Sequence, residues 1–226
     1  MKNKSKAQLF FSKEEQKRIC DVVHNAELKT SGELVPMIVS ESHSYPMAPV
    51  RGGALVALIT SLLLTAPIGE MFWLHSSNMY VFLSLFFPIF CISHFVINRS
   101  CRLKRWFLFS DEMDAEVQNA ALTSFFTERL YKTRDENGIL IFISLLEHRA
   151  WVIADSGINE RIPKEQWQEA VSIITQGIRD KKQCEALCRA IEMIGNILEQ
   201  EFPVKKDDTN ELSNLIINDL HNLVIR

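Results

Sequence analysis

The chain has 226 residues, 47% of them hydrophobic, and a formal net charge of −3. A chain that is mildly acidic overall has no global basic field, so nucleic acid is not an expected partner. Five cysteines, an odd number with Cys91 inside an apolar run, point to free thiols and exclude a disulfide framework.

The N-terminal MKNKSKAQLFF lacks the apolar core and small-residue cleavage site of a secretory signal. Ser12-Lys13-Glu14-Glu15 is a capping-box pattern, and Ile19, Val22, Val23 and Ala26 behind it recur at helical spacing. This helix is expected to stop near Thr30-Ser31-Gly32, with Gly32 free to adopt positive φ. Glu33–Val39 follows as a short strand. Pro36 cannot donate to a ladder, so the strand is expected either at an edge or with that position facing away from a partner. Glu41–Pro49 reads as a polar loop.

Two apolar runs come next, Gly52–Leu74 and Met79–Ile97, joined by the polar link His75-Ser76-Ser77-Asn78. A bilayer crossing takes about 20 mostly apolar residues. Glu70 is the only formal charge between Arg51 and Arg99, and it falls near the turn. The pair reads as a transmembrane helical hairpin, with Pro67 ending the first helix and Pro88 kinking the second. Arg51 before the first run and Arg99, Arg102, Lys104 and Arg105 after the second are the interface charges, and Trp106 is an interfacial aromatic anchor. The link carries no Lys or Arg. The positive-inside rule therefore puts both termini in the cytoplasm and the link outside. The basic cluster also suits anionic lipid headgroups.

Beyond the hairpin, Ser110-Asp111-Glu112 starts an amphipathic helix carrying Met113, Val117, Ala120, Ala121 and Phe125, expected to end around Leu130. Tyr131–Asn137 is a charged loop. Ile139–Leu146 is a nearly continuous apolar strand, turned by Glu147-His148-Arg149 into a return strand, Ala150–Ala154, which so short a connection makes antiparallel. Pro163 opens a helix with the stripe Trp167, Val171, Ile174 and Ile178. Cys184, Leu187, Cys188, Ile191, Ile194 and Leu198 form the stripe of a last long helix. Pro203–Asn210 is a charged linker, and Leu212–Ile225 either docks or frays. The pattern predicts an α/β fold: a small mixed sheet of at least three strands flanked by helices and interrupted by the two-helix hairpin. The expected parts are 1–50, a first helix and strand; 51–105, the hairpin with its basic flank; 106–202, the rest of the soluble domain; and 203–226, a tail.

The best carboxylates for a metal site are Asp155 with Asp135 and Glu136, because hard cations want several oxygen ligands and strand-end loops can gather them. A hairpin places the start of its first strand beside the end of its second, which brings the Asp135–Gly138 loop near Asp155, and Glu33 joins them if its strand runs the right way. The structural alternative is that Asp155 caps a turn while Asp135 and Glu136 are solvated. Cys184 and Cys188 share one helical face, but no further ligands stand at zinc spacing, and they read as small buried hydrophobes. Cys184 with Arg189 does not have the spacing of a phosphate-cradling loop. His94 snorkels from the second apolar run and His148 is a solvated turn residue. The usual nucleotide-binding, serine-hydrolase and zincin motifs are absent from the sequence.

Four segments, taken in order, resemble a known family: Thr30-Ser31-Gly32-Glu33 leading into a strand; Asn137-Gly138-Ile139-Leu140-Ile141-Phe142 with its return strand; Ala154-Asp155-Ser156-Gly157-Ile158; and Phe202-Pro203 before Asn210-Glu211-Leu212. Together they resemble the TPM-domain family, in its small bacterial branch where a membrane hairpin interrupts the domain. The resemblance implies a compact α/β/α domain at the bacterial inner (plasma) membrane, with the lipid bilayer and other membrane proteins as partners. Relatives include thylakoid-lumen proteins with acid phosphatase activity and roles in photosystem repair, modulators of an animal receptor, and proteins that bind divalent cations such as Ca²⁺ or Mg²⁺. In phosphatase-like relatives a Gly-rich segment follows the return strand; here Ala154-Asp155-Ser156-Gly157 keeps one glycine and adds a carboxylate. Two functions follow as expectations: a cytoplasm-facing interaction or assembly module, and alternatively a divalent-cation-dependent phosphatase using Asp155 with Asp135 or Glu136.

Overall fold

The computed structural model describes residues 6–73, 78–133, 136–204 and 212–218. These divide into two compact units, one of residues 1–43 and 114–226 and the other Ser44–Met113.

The first unit is a four-stranded sheet between helices. Its strands are β1 (Glu33–Val39), β2 (Gly138–Ser144), β3 (Arg149–Ala154) and β4 (Ile216–Asn218), in the order β3-β2-β1-β4. β2 pairs antiparallel with β3, and β1 pairs parallel with both β2 and β4. The side chains alternate as a pleat demands. Leu34, Ile38, Ile139, Ile141 and Ile143 face one core; Val35, Met37, Val39, Leu140 and Phe142 face the other. The first core is closed by helices α1 (Lys6–Phe10), α2 (Lys13–Glu27), α7 (Ser156–Asn159), α8 (Lys164–Arg179) and α9 (Gln183–Glu201); the second by the part of α6 (Ser110–Thr127) that carries Val117, Ala121 and Phe125. A central strand with both faces covered must be apolar throughout, which is why β1 and β2 are buried at every position.

Several expectations hold at the level of single bonds. Ser12 Oγ accepts from the Glu15 N–H at 3.2 Å while Glu15 Oε2 accepts from the Ser12 N–H at 2.8 Å. The α9 stripe Cys184, Leu187, Cys188, Ile191, Ile194 and Leu198 is buried throughout. All five cysteines are free.

Other expectations change. β1 is not an edge strand. Its Glu33 N–H turns toward β2, donating to the Asn137 carbonyl at 3.1 Å, so Leu34 and Pro36 turn toward β4. β4 begins pairing only at Met37, and the missing N–H of Pro36 therefore interrupts no ladder bond. The fourth strand lies in the expected tail, parallel to β1. Helix α2 ends at Glu27, before the expected stop, and Gly32 is not at positive φ. Gly32 lies instead where a Cβ would stand 3.0 Å from the Leu198 side chain. Pro163 is the N-cap of α8, with extended ψ, not its first helical residue. Helices α1 and α7 were not expected. Glu147, read as a turn residue, is fully buried. It accepts from the N–H and Oγ of Ser42 at 3.0 and 2.5 Å and from Ser144 Oγ, clamping the end of β2 to the chain leaving β1.

The second unit holds α3 (Met47–Met71), α4 (Asn78–Arg99), α5 (Cys101–Trp106) and the first turn of α6. Helices α3 and α4 are each long and apolar enough to cross a bilayer. Helix α3 begins within the expected polar loop and runs through Pro67, which does not end it; α4 continues through Pro88. Gly53, Ala57 and Ser61 recur every four residues on the buried side of α3, and a Cβ on Gly53 would stand 3.2 Å from the His94 backbone nitrogen. Small residues at this spacing let two apolar helices approach closely where lipid offers no hydrophobic driving force between them. The opposite faces expose large apolar side chains, Leu63 at 70% and Phe87 at 62%. The connecting residues 74–77 lie outside those described.

Gly138 opens β2 where a Cβ would stand 2.2 Å from the Leu130 carbonyl oxygen, which is backbone and cannot swing aside. Gly138→Ala is expected to cost about 1–3 kcal/mol, as overpacking does, read as a lowered midpoint in thermal unfolding of the detergent-solubilised protein.

Candidate functional site

The parallel register of β1 and β2 sets Glu33 beside Gly138, and the antiparallel register of β2 and β3 sets Ile139 beside Ala154. Glu33, the Asn137-Gly138 turn and Asp155 therefore stand in a row at one end of the sheet, and β1 does run the way that brings Glu33 there. The tie between the last two is direct: the Asp155 N–H donates to the Gly138 carbonyl at 3.0 Å.

Asn137 ties its own loop to the stretch that enters β1. Its Nδ2 donates to the Ser31 carbonyl, its backbone N–H to Thr133 Oγ1 at 3.0 Å, and its carbonyl receives the Glu33 N–H. The C-terminal end of α9 closes the same knot. The Phe202 carbonyl accepts from Thr30 Oγ1 at 2.7 Å and from the Ser31 N–H at 3.0 Å, and Thr30 pairs with Pro203 in an isolated bridge. The segments around Thr30, Asn137, Asp155 and Phe202, scattered along the sequence, thus meet at one place.

Asp155 is the N-cap of α7, its Oδ1 accepting from the Ser156 N–H at 2.6 Å. Its other oxygen, Oδ2, is buried with no hydrogen-bond partner, as is Asn137 Oδ1. Glu136 is exposed, at positive φ in the loop before Asn137. Asp135 lies outside the described residues. Among the described residues no three His, Cys, Asp or Glu side chains gather as a cation site. Asn137 Oδ1 and Asp155 Oδ2 are acceptors that a cation or a proton donor would satisfy, the latter on a carboxylate whose other oxygen is committed to capping.

Sequence reasoning misses Glu27, at the end of α2. Because β4 starts only at Met37, no strand partner reaches Leu34, and Glu27 Oε1 accepts that N–H instead, at 3.2 Å. Oε2 accepts from Asn214 Nδ2 at 3.3 Å. Burial pushes the Glu27 carboxyl up to about 8; the Leu34 N–H opposes the shift and the nearby Glu33 carboxylate adds to it. No pattern in the sequence marks Glu27, since its position only matters once β4 falls short. Cys184 and Cys188 are buried; burial raises both thiols, Cys188 to about 12 with Cys184 beside it, which makes them poor nucleophiles and poor metal ligands at neutral pH.

Of the charges assigned to an interface, Arg51 sits in the first turns of α3 and pairs with both carboxylate oxygens of Glu112 at 2.8 and 3.2 Å, over the ring of Phe109. Arg99 and Arg102 are exposed, Arg105 is half-buried, and Lys104 is buried. Trp106 is 82% exposed.

Residues 100–197 match the family model described as the TPM domain. No curated protein matches the chain. Among solved structures, the NMR structure of the BA42 protein from the psychrophilic bacterium Bizionia argentinensis is similar, with a TM-score of 0.57 and 20% sequence identity over 93% of this chain and 95% of that one. At that identity the likeness concerns the fold alone.

A carboxyl whose folded pKa is raised binds more protons folded than unfolded between its two pKa values, so stability falls as pH rises. Glu27 therefore stabilises the fold below its ordinary value near 4.5, and that contribution is lost as pH rises through about 8. Glu27→Gln is expected to flatten the decline in melting temperature between pH 5 and pH 8; an unchanged slope would assign the decline to other groups.

Proposed function

We propose, on the premise that residues 100–197 are a TPM domain, that the chain is a membrane-anchored interaction or assembly module at the bacterial inner membrane, with its soluble body and both termini on the cytoplasmic side. The observation that carries the one-sided topology is the pairing of β1 with β2. These strands lie on opposite sides of the apolar hairpin in sequence. A hairpin that crosses twice returns the chain to the compartment it left, as a shared sheet requires. Exposed Leu63, Phe87 and their neighbours on α3 and α4 favour lipid as the medium around the hairpin. The exposed Arg99 and Arg102 favour the cytoplasmic side.

A second reading rests on Asp155 Oδ2 and Asn137 Oδ1, buried acceptors without partners. It makes the end of the sheet a site for Ca²⁺ or Mg²⁺ and the protein a divalent-cation-dependent phosphatase, with Asp135 and Glu136 completing the oxygen set. A cation there would polarise a phosphoryl oxygen. We favour the module, because the carboxylate central to the second reading already caps α7 through Oδ1.

In a cysteine-free background, Ser76→Cys is expected to react with a membrane-impermeant maleimide on intact cells, and Lys13→Cys only after lysis. The opposite pattern, or extraction of the protein without detergent, removes the anchored topology. Purified protein is expected to hydrolyse p-nitrophenyl phosphate no faster in Mg²⁺ or Ca²⁺ than the Asp155→Ala variant does. Robust cation-dependent turnover that is lost in Asp155→Ala would establish the phosphatase instead.

A further inference from the structure

β3 is an edge of the sheet, and nothing in its sequence blunts that edge. Between Arg149 and the strand end it reads Ala-Trp-Val-Ile-Ala, with no proline and no inward charge. Exposed edges of this kind template the pairing of another strand unless they are covered. The opposite edge is different: β4 is three residues long.

The ladder fixes which groups of β3 point outward. Because Asp155 exchanges its bond with Gly138, the hydrogen-bonded pairs with β2 fall at Ile153, Trp151 and Arg149. The N–H and C=O of Ala154, Val152 and Ala150 turn away from β2. Asn159 Nδ2 confirms the direction by donating to the Ala154 carbonyl at 2.5 Å. The outward groups of Ala150, only 4% exposed, and of half-buried Val152 remain, and both residues line a groove of about 800 Å³ that β3 shares with α8 and the Asp114–Val117 turn of α6.

The groove has one sign of charge to spare. Arg149 is neutralised by Asp114, with Nε 2.6 Å from Oδ1. Lys164 and Arg179 also line it and have no acidic partner among the described residues; Glu165 and Asp180, their neighbours in sequence, do not line it. Lys164 and Arg179 are the first and last residues of α8. At 1.5 Å per residue they stand on the order of 22 Å apart along the helix, the length of an extended segment of about seven residues. Between them the walls offer Trp151, Val152, Trp167 and Val171.

Building on the interaction-module reading, we infer that the β3 edge is a peptide-docking groove, which takes an extended acidic polypeptide segment of a partner protein as a fifth strand. The segment bonds through its backbone to Ala150 and Val152, sets apolar side chains against the two tryptophans, and brings a carboxylate toward Lys164 at one end and Arg179 at the other. Backbone pairing supplies affinity and the flanking charges supply register.

The test is a selection of random ten-residue peptides on full-length protein in nanodiscs. Recovered peptides are expected to carry Asp or Glu near both ends and alternating β-branched or aromatic residues between. N-methylation of alternate backbone nitrogens in the best peptide is expected to weaken binding at least tenfold, as is Val152→Pro. That change removes an outward N–H and leaves the β2–β3 bonds in place, and circular dichroism and a thermal melt check the fold. Lys164→Glu combined with Arg179→Glu, both on the surface, is expected to lose the acidic peptides without touching the strand. Recovery of basic peptides, recovery of none, or full binding to Val152→Pro overturns the proposal. So does a dimer of the free protein, seen by light scattering in detergent, whose formation blocks the peptides, because a second copy then closes the edge. If Val152→Pro still captures its membrane partners in cells while β3 binds no peptide, strand addition fails and the module reading stands. If no partner is captured by either form, the module reading itself fails.

Discussion

β1 and β2 lie side by side and run the same way, although the whole apolar hairpin separates them in sequence. A parallel pair cannot be closed by a tight turn; the chain must travel back along the sheet before it can re-enter. Helix α6 does this. The segment that carries Val117, Ala121 and Phe125 forms one layer over the sheet, and the chain re-enters at Gly138. The connection needs α6 but does not need to be short, since loop-closure cost grows only slowly with length. That leaves room for a long insertion between Val39 and α6. The hairpin occupies a connection that has to be long in any case, as does the one that carries α7, α8 and α9 from β3 to β4.

The polar knot at the start of β1 follows from the same pairing. Placing Glu33 opposite Gly138 brings together the ends of α2, α9 and the loops before β2 and after β3. Backbone groups in such a junction are buried and need partners. Thr30, Asn137 and Glu27 supply them, and Asp155 caps the helix that leaves the junction. The polar residues at such a place have a structural duty before they have a chemical one. The two buried acceptors left over, Asn137 Oδ1 and Asp155 Oδ2, mark where chemistry would have to begin.

What the sequence makes legible follows from which forces are local. The stripe of α9 is readable residue by residue, because a helix repeats its buried face every 3.6 residues whatever it packs on. The β2–β3 hairpin is readable because its connection is too short for any other arrangement. Asp155 as a cap is readable for the same reason, since the Ser156 N–H it accepts is its own neighbour's. β4 is not readable: the β-branched Ile216-Ile217 pair is too short to announce a strand by itself, and it becomes one because β1 offers it a partner. Pro36 is half readable: it leaves an edge strand or a position without a partner as the alternatives, and only the start of β4 at Met37 selects the second. Glu27 is hidden twice over, first by looking like the polar end of a helix and then by depending on a strand that stops short.

The two edges of the sheet are managed differently, and the difference has consequences. On the β4 side, pairing ends early and a side chain takes over, Glu27 accepting the Leu34 N–H that no strand reaches. On the β3 side only the end of the strand is treated so, by Asn159 on the Ala154 carbonyl. The outward backbone groups of Ala150 and Val152 border the groove between β3 and α8, whose two ends carry Lys164 and Arg179. A strand edge that pairs with no further strand is a stability cost with no structural return, even where, as here, its residues are half-buried or buried. A binding strand accounts for why that cost persists, and the unneutralised Lys164 and Arg179 account for its sign.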